Sequence, residues 1–259
     1  ANLYKKNFLP REHKLLNNFS IINNSFSANF LRKYRFDSRF FHYESKNEKF
    51  TNNPKTDRPL KNRDAKYYIE NFNTVFQETL GPNLNFKNNI DLSEDTLVMH
   101  IRSGDIFEKR EDGGIVGNQY YLQNPLVYYK KLIENYDNTI IVSATPLNNP
   151  VIEKLKNNEK VEISSSNLEE DFNLLLNAKN LATSGVGTFA IAAALSSKKL
   201  INFHYSNLYF NHHLNPTMVK NVNHHKYGFN GYLNIGDKWE GEEKQVQKML
   251  SSKIEVIDI

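Results

Sequence analysis

The feature that most constrains this chain is a series of short apolar segments alternating with amphipathic ones between residues 96 and 205. Residues 96–101, built around Leu97-Val98-Met99, have the length and composition of a strand buried on both faces. A polar stretch with Gly104, Gly113, Gly114 and Gly117 follows. The spacing then predicts a helix over 125–136 with Pro125 in its first turn, a strand over 139–143, a helix over 149–157 and a strand over 161–164. Ser166 and Glu169 fit a capping box ahead of a helix carrying Leu168, Phe172, Leu175 and Leu176. A strand over 181–183, a helix over 188–196 and a strand over 200–204 complete the series. Strands alternating with helices specify a parallel sheet covered on both faces. Beyond it, an Asn/His/Tyr-rich stretch over 205–235 reads as a surface loop or part of a substrate cleft. A helix over 238–250 and a strand over 254–257 follow.

The first third of the chain lacks this order. Residues 1–63 show no clean period, and 55–63 is a polar, Pro-containing connector. A helix is expected over 64–80, with Tyr68, Phe72, Val75, Phe76 and Leu80 on one face and Gly81-Pro82 as its stop. Residues 1–66 hold 15 Lys/Arg against 6 Asp/Glu, while the whole chain is only +4, so the remainder is net acidic. A basic segment favours anionic ligands, whether nucleotide diphosphates, acidic glycans or nucleic acid, or is simply a solvated surface. The absence of Cys excludes disulfides, thiolate metal sites and a cysteine nucleophile, and fits a reducing compartment. The longest apolar run, Phe189 to Leu195, is far short of the roughly 20 residues of a membrane helix. No membrane span is expected.

Two segments carry chemistry. His100-Ile101-Arg102-Ser103-Gly104-Asp105 lies where a strand gives way to a loop, at the edge where open α/β sheets bind ligands. An arginine there can make bidentate, charge-assisted bonds to phosphate. Asp105 can fix that arginine or accept a proton. A strand-end Arg102–Asp105 ion pair beside a core histidine is the alternative. The second segment, Ser184-Gly185-Val186-Gly187-Thr188-Phe189, joins a strand to a helix. Its glycines let backbone approach a ligand, its hydroxyls are donors, and the helix start offers unpaired N–H groups. It is not a Walker loop, since no Lys follows the glycines, and Ala190 stands where the third glycine of a dinucleotide fingerprint falls. A tight turn capped by Thr188 is the plainer reading.

The first segment resembles the H-x-R-x-G-D motif of the fucosyltransferase superfamily, which spans α1,2-, α1,6- and protein O-fucosyltransferases. Asp171 through Ala178 to Ser184, Gly187, Thr188 and Phe189 is similar to that superfamily's third motif region. The resemblance covers about residues 96–205 and looks closest to algal and viral-type members. It implies an α/β, GT-B-like fold: a reduced N-terminal, acceptor-side lobe over 1–95, a Rossmann-like nucleotide-sugar lobe over 96–205, and a C-terminal loop, helix and strand over 206–259 packing back on the core. It also implies an inverting, metal-independent glycosyltransferase acting on a glycan hydroxyl, with no cofactor beyond its nucleotide-sugar co-substrate. Arg102 matches the arginine on the β-phosphate, His100 the histidine beside the donor, and Asp171 the acid at the nucleotide base. Ser184, Gly185, Gly187, Thr188 and Phe189 match the diphosphate turn. Ser103 stands where many members have a second arginine, which leaves GDP-fucose and UDP-xylose both open as donors. The expected location is cytoplasmic, in the host cell for a viral member.

Transfer also needs a base, and a carboxylate is the usual one. Asp105 is the first candidate, then Glu108, Glu111 and Asp112, with His100 behind them. No Asp-x-Asp occurs, and neither His212-His213 nor His224-His225 has metal-ligand spacing, so no metal is expected. Tyr232 and Trp239 are candidates for sugar stacking or for the core. Two readings compete with the enzyme: a nucleic-acid-binding protein using the basic N-terminal region, and a non-catalytic nucleotide- or sugar-binding module.

Overall fold

The computed structural model describes residues 90–117, 119–208, 216–233 and 238–259. The basic N-terminal segment, the expected helix over 64–80, most of the 1–95 lobe and His212-His213 lie outside these residues.

The described part is an α/β layer structure. Its strands are β1 (Thr96–His100), β2 (Asn138–Val142), β3 (Val161–Ser164), β4 (Asn180–Ala182), β5 (Asn202–Ser206), β6 (Asn223–Asn230) and β7 (Glu255–Asp258). They form a single seven-stranded sheet in the order β3-β2-β1-β4-β5-β6-β7. Neighbours pair in parallel from β3 through β6, and β7 closes the edge antiparallel to β6. The helices are α1 (Leu126–Glu134), α2 (Pro150–Leu155), α3 (Leu168–Asn177), α4 (Phe189–Ser196) and α5 (Glu243–Met249).

Alternating residues of β1 explain the two layers, because successive side chains of a strand point to opposite faces. Leu97 and Met99 pack with Leu126, Tyr129, Leu132 and Ile133 of α1, Val151 and Leu155 of α2, and Met249 of α5. Val98 packs the other way, with Phe172 and Leu175 of α3 and Ile191 and Leu195 of α4. Helix α4 is apolar nearly all round and accordingly buried. The chain runs outward from β1 to β2 and β3, then returns through α3 to β4 on the other side of β1. The winding of the chain therefore reverses between β1 and β4, which remain parallel, and the crevice outside their carboxyl ends is where ligands bind in such sheets.

Several expectations shift. The α3 cap is Asn167, whose side chain accepts from the Glu169 and Glu170 amides at 3.0 Å each; Ser166 instead donates its N–H to Asp171. Asparagine outcompetes the capping box because it stands one residue nearer the helix and reaches two amides at once. The strand expected over 200–204 is β5, two residues later. The stretch expected as loop or cleft contains β6, which extends the sheet beside β5. The expected 238–250 helix starts only at Glu243. At the opposite, amino-terminal edge, Asn180, Asn202 and Asn223 stand in register across β4, β5 and β6. Asn223 Nδ2 donates to Asn202 Oδ1 at 3.0 Å, and Asn202 Nδ2 to Asn180 Oδ1 at 2.8 Å.

Candidate functional site at the sheet switch point

The β1 exit is tied down before Arg102 can act. The Ser103 hydroxyl donates to Pro146 O at 2.8 Å and accepts from the Asn149 amide at 3.0 Å, while Asn149 Nδ2 donates to Arg102 O at 2.7 Å. Gly104 adopts φ +73 and donates its N–H to Asn148 Oδ1 at 2.7 Å. The loop after β2 thus braces the loop after β1. Ser103, which the sequence marks only as a missing arginine, is 6% exposed and serves as that brace.

Arg102 lies over the Tyr121 ring, its guanidinium carbon 4.2 Å from the centroid. Its Nη2 donates to both Asp105 oxygens, at 3.0 and 2.9 Å. The pair is only part-buried: the Arg102 side chain is 25% exposed and Asp105 42%. Arg102 Nε is buried with no partner among the described residues. The guanidinium is therefore half committed. Two acceptors crowd one nitrogen, and the fork geometry that makes such pairs strong is unused.

His100, on β1, meets Phe189 at the start of α4 with ring centroids 5.4 Å apart, and Phe189 meets Phe172 of α3 at the same separation. This aromatic chain joins the first motif to the second and reaches the residue beside Asp171. Burial, and then the neighbouring Arg102 charge, push the His100 pKa down to about 4. The ring is neutral at neutral pH. Asp171 is 6% exposed, accepts weakly from the Ser166 amide at 3.3 Å and the Ser164 hydroxyl at 3.5 Å, and has its pKa raised by burial against those bonds. It lies at the β3 end of the edge, two strands from β1.

The Ser184–Phe189 turn is built differently from expectation. Gly185 has φ +97, and a Cβ there would collide with Leu122 O and come within 3.0 Å of the Asn124 amide nitrogen. The Val186 amide donates to Leu122 O at 2.9 Å, Gln123 bridges to Gly185, and Asn124 Nδ2 donates to Thr183 O at 3.0 Å. The close backbone approach that Gly185 permits is thus to the protein's own segment 122–124. Gly187 differs, since a Cβ there would meet only Ser184 Oγ at 3.6 Å. Ser184 is buried, and Thr188 makes no side-chain cap, so its hydroxyl is not spent on α4. Segment 121–124 also connects the two motifs: Tyr121 lies under Arg102 and Gln123 on Gly185, and Gln123 Nε2 donates to Tyr121 O at 2.7 Å.

One pattern was not legible beforehand. Buried polar atoms without a partner among the described residues include Arg102 Nε, Ser143 Oγ, Ser165 Oγ, Thr183 Oγ1 and Ser206 Oγ. Each stands at or just past the carboxyl end of a different strand, β1 to β5. Polar side chains buried at five successive strand ends thus line one edge of the sheet.

The carboxylates of the loop sort by environment. Both Asp105 oxygens are engaged by Arg102. Asp112 is exposed, bonded by the Gly114 amide and Arg110, and its pKa is lowered by those bonds, which makes it a poor base. Glu108 and Glu111 are exposed. His224 and His225 lie on β6 and project apart, His224 to Val219 O at 2.9 Å and His225 stacked on His204 at 4.6 Å. Trp239 and Tyr232 are core residues, 0% and 5% exposed. Trp239 Nε1 donates to Ile106 O at 3.0 Å and its ring meets Phe107 edge-on, so the C-terminal segment grips the loop behind Asp105.

Among the described residues, no helix is long and apolar enough to cross a membrane, and no group of three or more His, Asp or Glu has the arrangement of a metal site. Fold and site define a class: a doubly wound, mostly parallel α/β protein with an arginine-bearing polar edge at its switch point. No protein-family model, curated protein or solved structure matches the chain.

Proposed function

We propose that this chain is an inverting glycosyltransferase of GT-B type that moves fucose, or a pentose such as xylose, from a nucleotide diphosphate to a glycan hydroxyl without a metal ion. The observation that carries the reading is the half-committed Arg102 guanidinium at the carboxyl edge of β1, beside the point where the strand order reverses.

In the reaction the acceptor oxygen attacks the anomeric carbon as the bond from that carbon to the diphosphate breaks. The nucleoside diphosphate leaves and the acceptor proton passes to a base. Negative charge grows on the leaving phosphate, and a fixed guanidinium stabilises it more in the transition state than before. The first-turn amides of α4 have no intrahelical acceptors and add to that field. His100, neutral with a pKa near 4, is suited to a hydrogen bond with the donor rather than to proton abstraction at neutral pH. The base falls to Glu108 or Glu111, the carboxylates of the loop that neither Arg102 nor Arg110 engages. Asp171 recognises the nucleotide base from the β3 side.

Replacing Arg102 with Gln tests the reading. Sugar transfer and donor hydrolysis, followed with GDP-fucose and UDP-xylose, should fall by at least 100-fold while the fold is kept, on the scale of losing a charge-assisted transition-state contact. Near-normal turnover would remove the assignment. The internal Arg102–Asp105 pair favours a second reading, binding without turnover. A wild-type chain that binds these donors but neither transfers nor hydrolyses them would establish it.

A further inference from the structure

Asp105 has more to do than hold an arginine. Both its oxygens converge on a single nitrogen of Arg102, leaving Nη1 and the buried Nε without a bond to it. The carboxylate is also placed with care. The Gly117 amide donates to Asp105 O at 2.8 Å, and any Cβ at Gly117 would come within 2.9 Å of Asp105 Oδ2. Trp239 holds the next residue, Ile106, by its carbonyl. A glycine, an indole and a backbone bond thus keep this anion on the guanidinium, while Tyr121 supports the cation from its ring face.

Resting on the transferase reading, we propose that Asp105 is an internal competitor for Arg102: it occupies the guanidinium in the empty site, and an incoming diphosphate displaces it. Two anions cannot share one part-buried guanidinium without repelling each other. Asp105 therefore sets the affinity of the site for phosphate anions, and it weakens that affinity. A simple brace makes a different demand, since losing it would leave anion affinity unchanged or reduced.

The test is isothermal titration of inorganic pyrophosphate into the wild-type chain and the Asp105→Asn, Asp105→Ser and Arg102→Gln variants. Folding is checked by the fluorescence of Trp239, the only tryptophan. Asp105→Asn should bind pyrophosphate about three- to tenfold more tightly than wild type, the scale of releasing a part-exposed ion pair. Arg102→Gln should bind it at least tenfold more weakly. Asp105→Ser repeats the expectation with a side chain unable to mimic the carboxylate's shape. If wild type binds through Arg102 but both Asp105 variants bind equally or more weakly, the competition is refuted and the transferase reading stands. If wild type binds no pyrophosphate, or binds it independently of Arg102, both fall.

Discussion

Gly185 decides whether the second motif is a ligand cradle or a packing joint, and its substitution by Ala separates the two. Gly185 holds φ +97, a conformation that costs an L-residue about 1–3 kcal/mol. The new methyl would collide with Leu122 O and crowd the Asn124 amide, both backbone atoms of a segment that has no room to retreat. Moving that segment breaks the Val186-to-Leu122 bond of 2.9 Å and disturbs the bond from Asn124 to Thr183, for about 1 kcal/mol each. Together these predict a loss of about 3–5 kcal/mol, a large share of the about 5–15 kcal/mol that stabilises a typical domain. Trp239, single and fully buried, reports unfolding by fluorescence in a urea titration. If Gly185 instead exists for a ligand's sake, Gly185→Ala will lose no more than about 2 kcal/mol, the backbone strain alone, together with diphosphate binding. That result would refute the packing argument.

Two further perturbations probe the scaffold. His204 is 5% exposed between the Tyr136 and Tyr227 hydroxyls, and burial followed by the charge of His225 lowers its pKa from 6.5 to about 3. A depressed pKa means the unfolded state takes the proton first, so this stability is full above pH 6.5 and is lost as pH falls toward 3. Between pH 7.5 and 5.0 the shift amounts to about 2 kcal/mol, and His204→Gln should flatten the pH dependence of the urea midpoint by that much; parallel pH profiles would contradict it. Asn202→Ala removes the middle rung of the asparagine ladder and should cost about 1–2 kcal/mol, whereas a loss below about 0.5 kcal/mol would show the ladder to be incidental.

What was legible in the sequence follows from how each element is stabilised. β1 was readable because its burial on both faces leaves successive apolar residues, Leu97-Val98-Met99, at its centre, and Arg102 and Asp105 because a strand end is a predictable place. β6 was not. Its sequence, Asn-His-His-Lys-Tyr-Gly-Phe-Asn, is exposed over its first half and held by backbone pairing with β5 and β7. Backbone bonds leave no trace in side-chain periodicity. The role of Trp239 was equally hidden, because it acts on Ile106 across 133 residues of chain. Gly185 was legible as a position of unusual backbone and misread as to what approaches it, since the partner segment 122–124 carries no marker of its own. The hydroxyl-bearing strand ends escaped notice because Ser143, Ser165, Thr183 and Ser206 are scattered in sequence and converge only through the order of the sheet.

A competitor on the critical arginine looks wasteful until the leaving group is considered. The nucleoside diphosphate gains charge as the sugar departs, so the product grips Arg102 harder than the intact donor does. An arginine with no other anion nearby would hold that product, and release of products limits many enzymes. Asp105, kept within 3.0 Å of Arg102 by the loop that Trp239 secures, is positioned to reclaim the guanidinium and speed departure. The consequence is kinetic and specific. In Asp105→Asn, transfer in a single turnover should proceed at or above the wild-type rate. Steady-state kcat should fall, with inhibition by the nucleoside diphosphate tightened about three- to tenfold. Were Asp105 the base, the single-turnover rate itself would drop by about 10²–10⁴-fold while product inhibition stayed as it was. The single-turnover rate is kept in one role and lost in the other, so one quench-flow experiment on this variant distinguishes a residue that takes a proton from one that returns an arginine to rest.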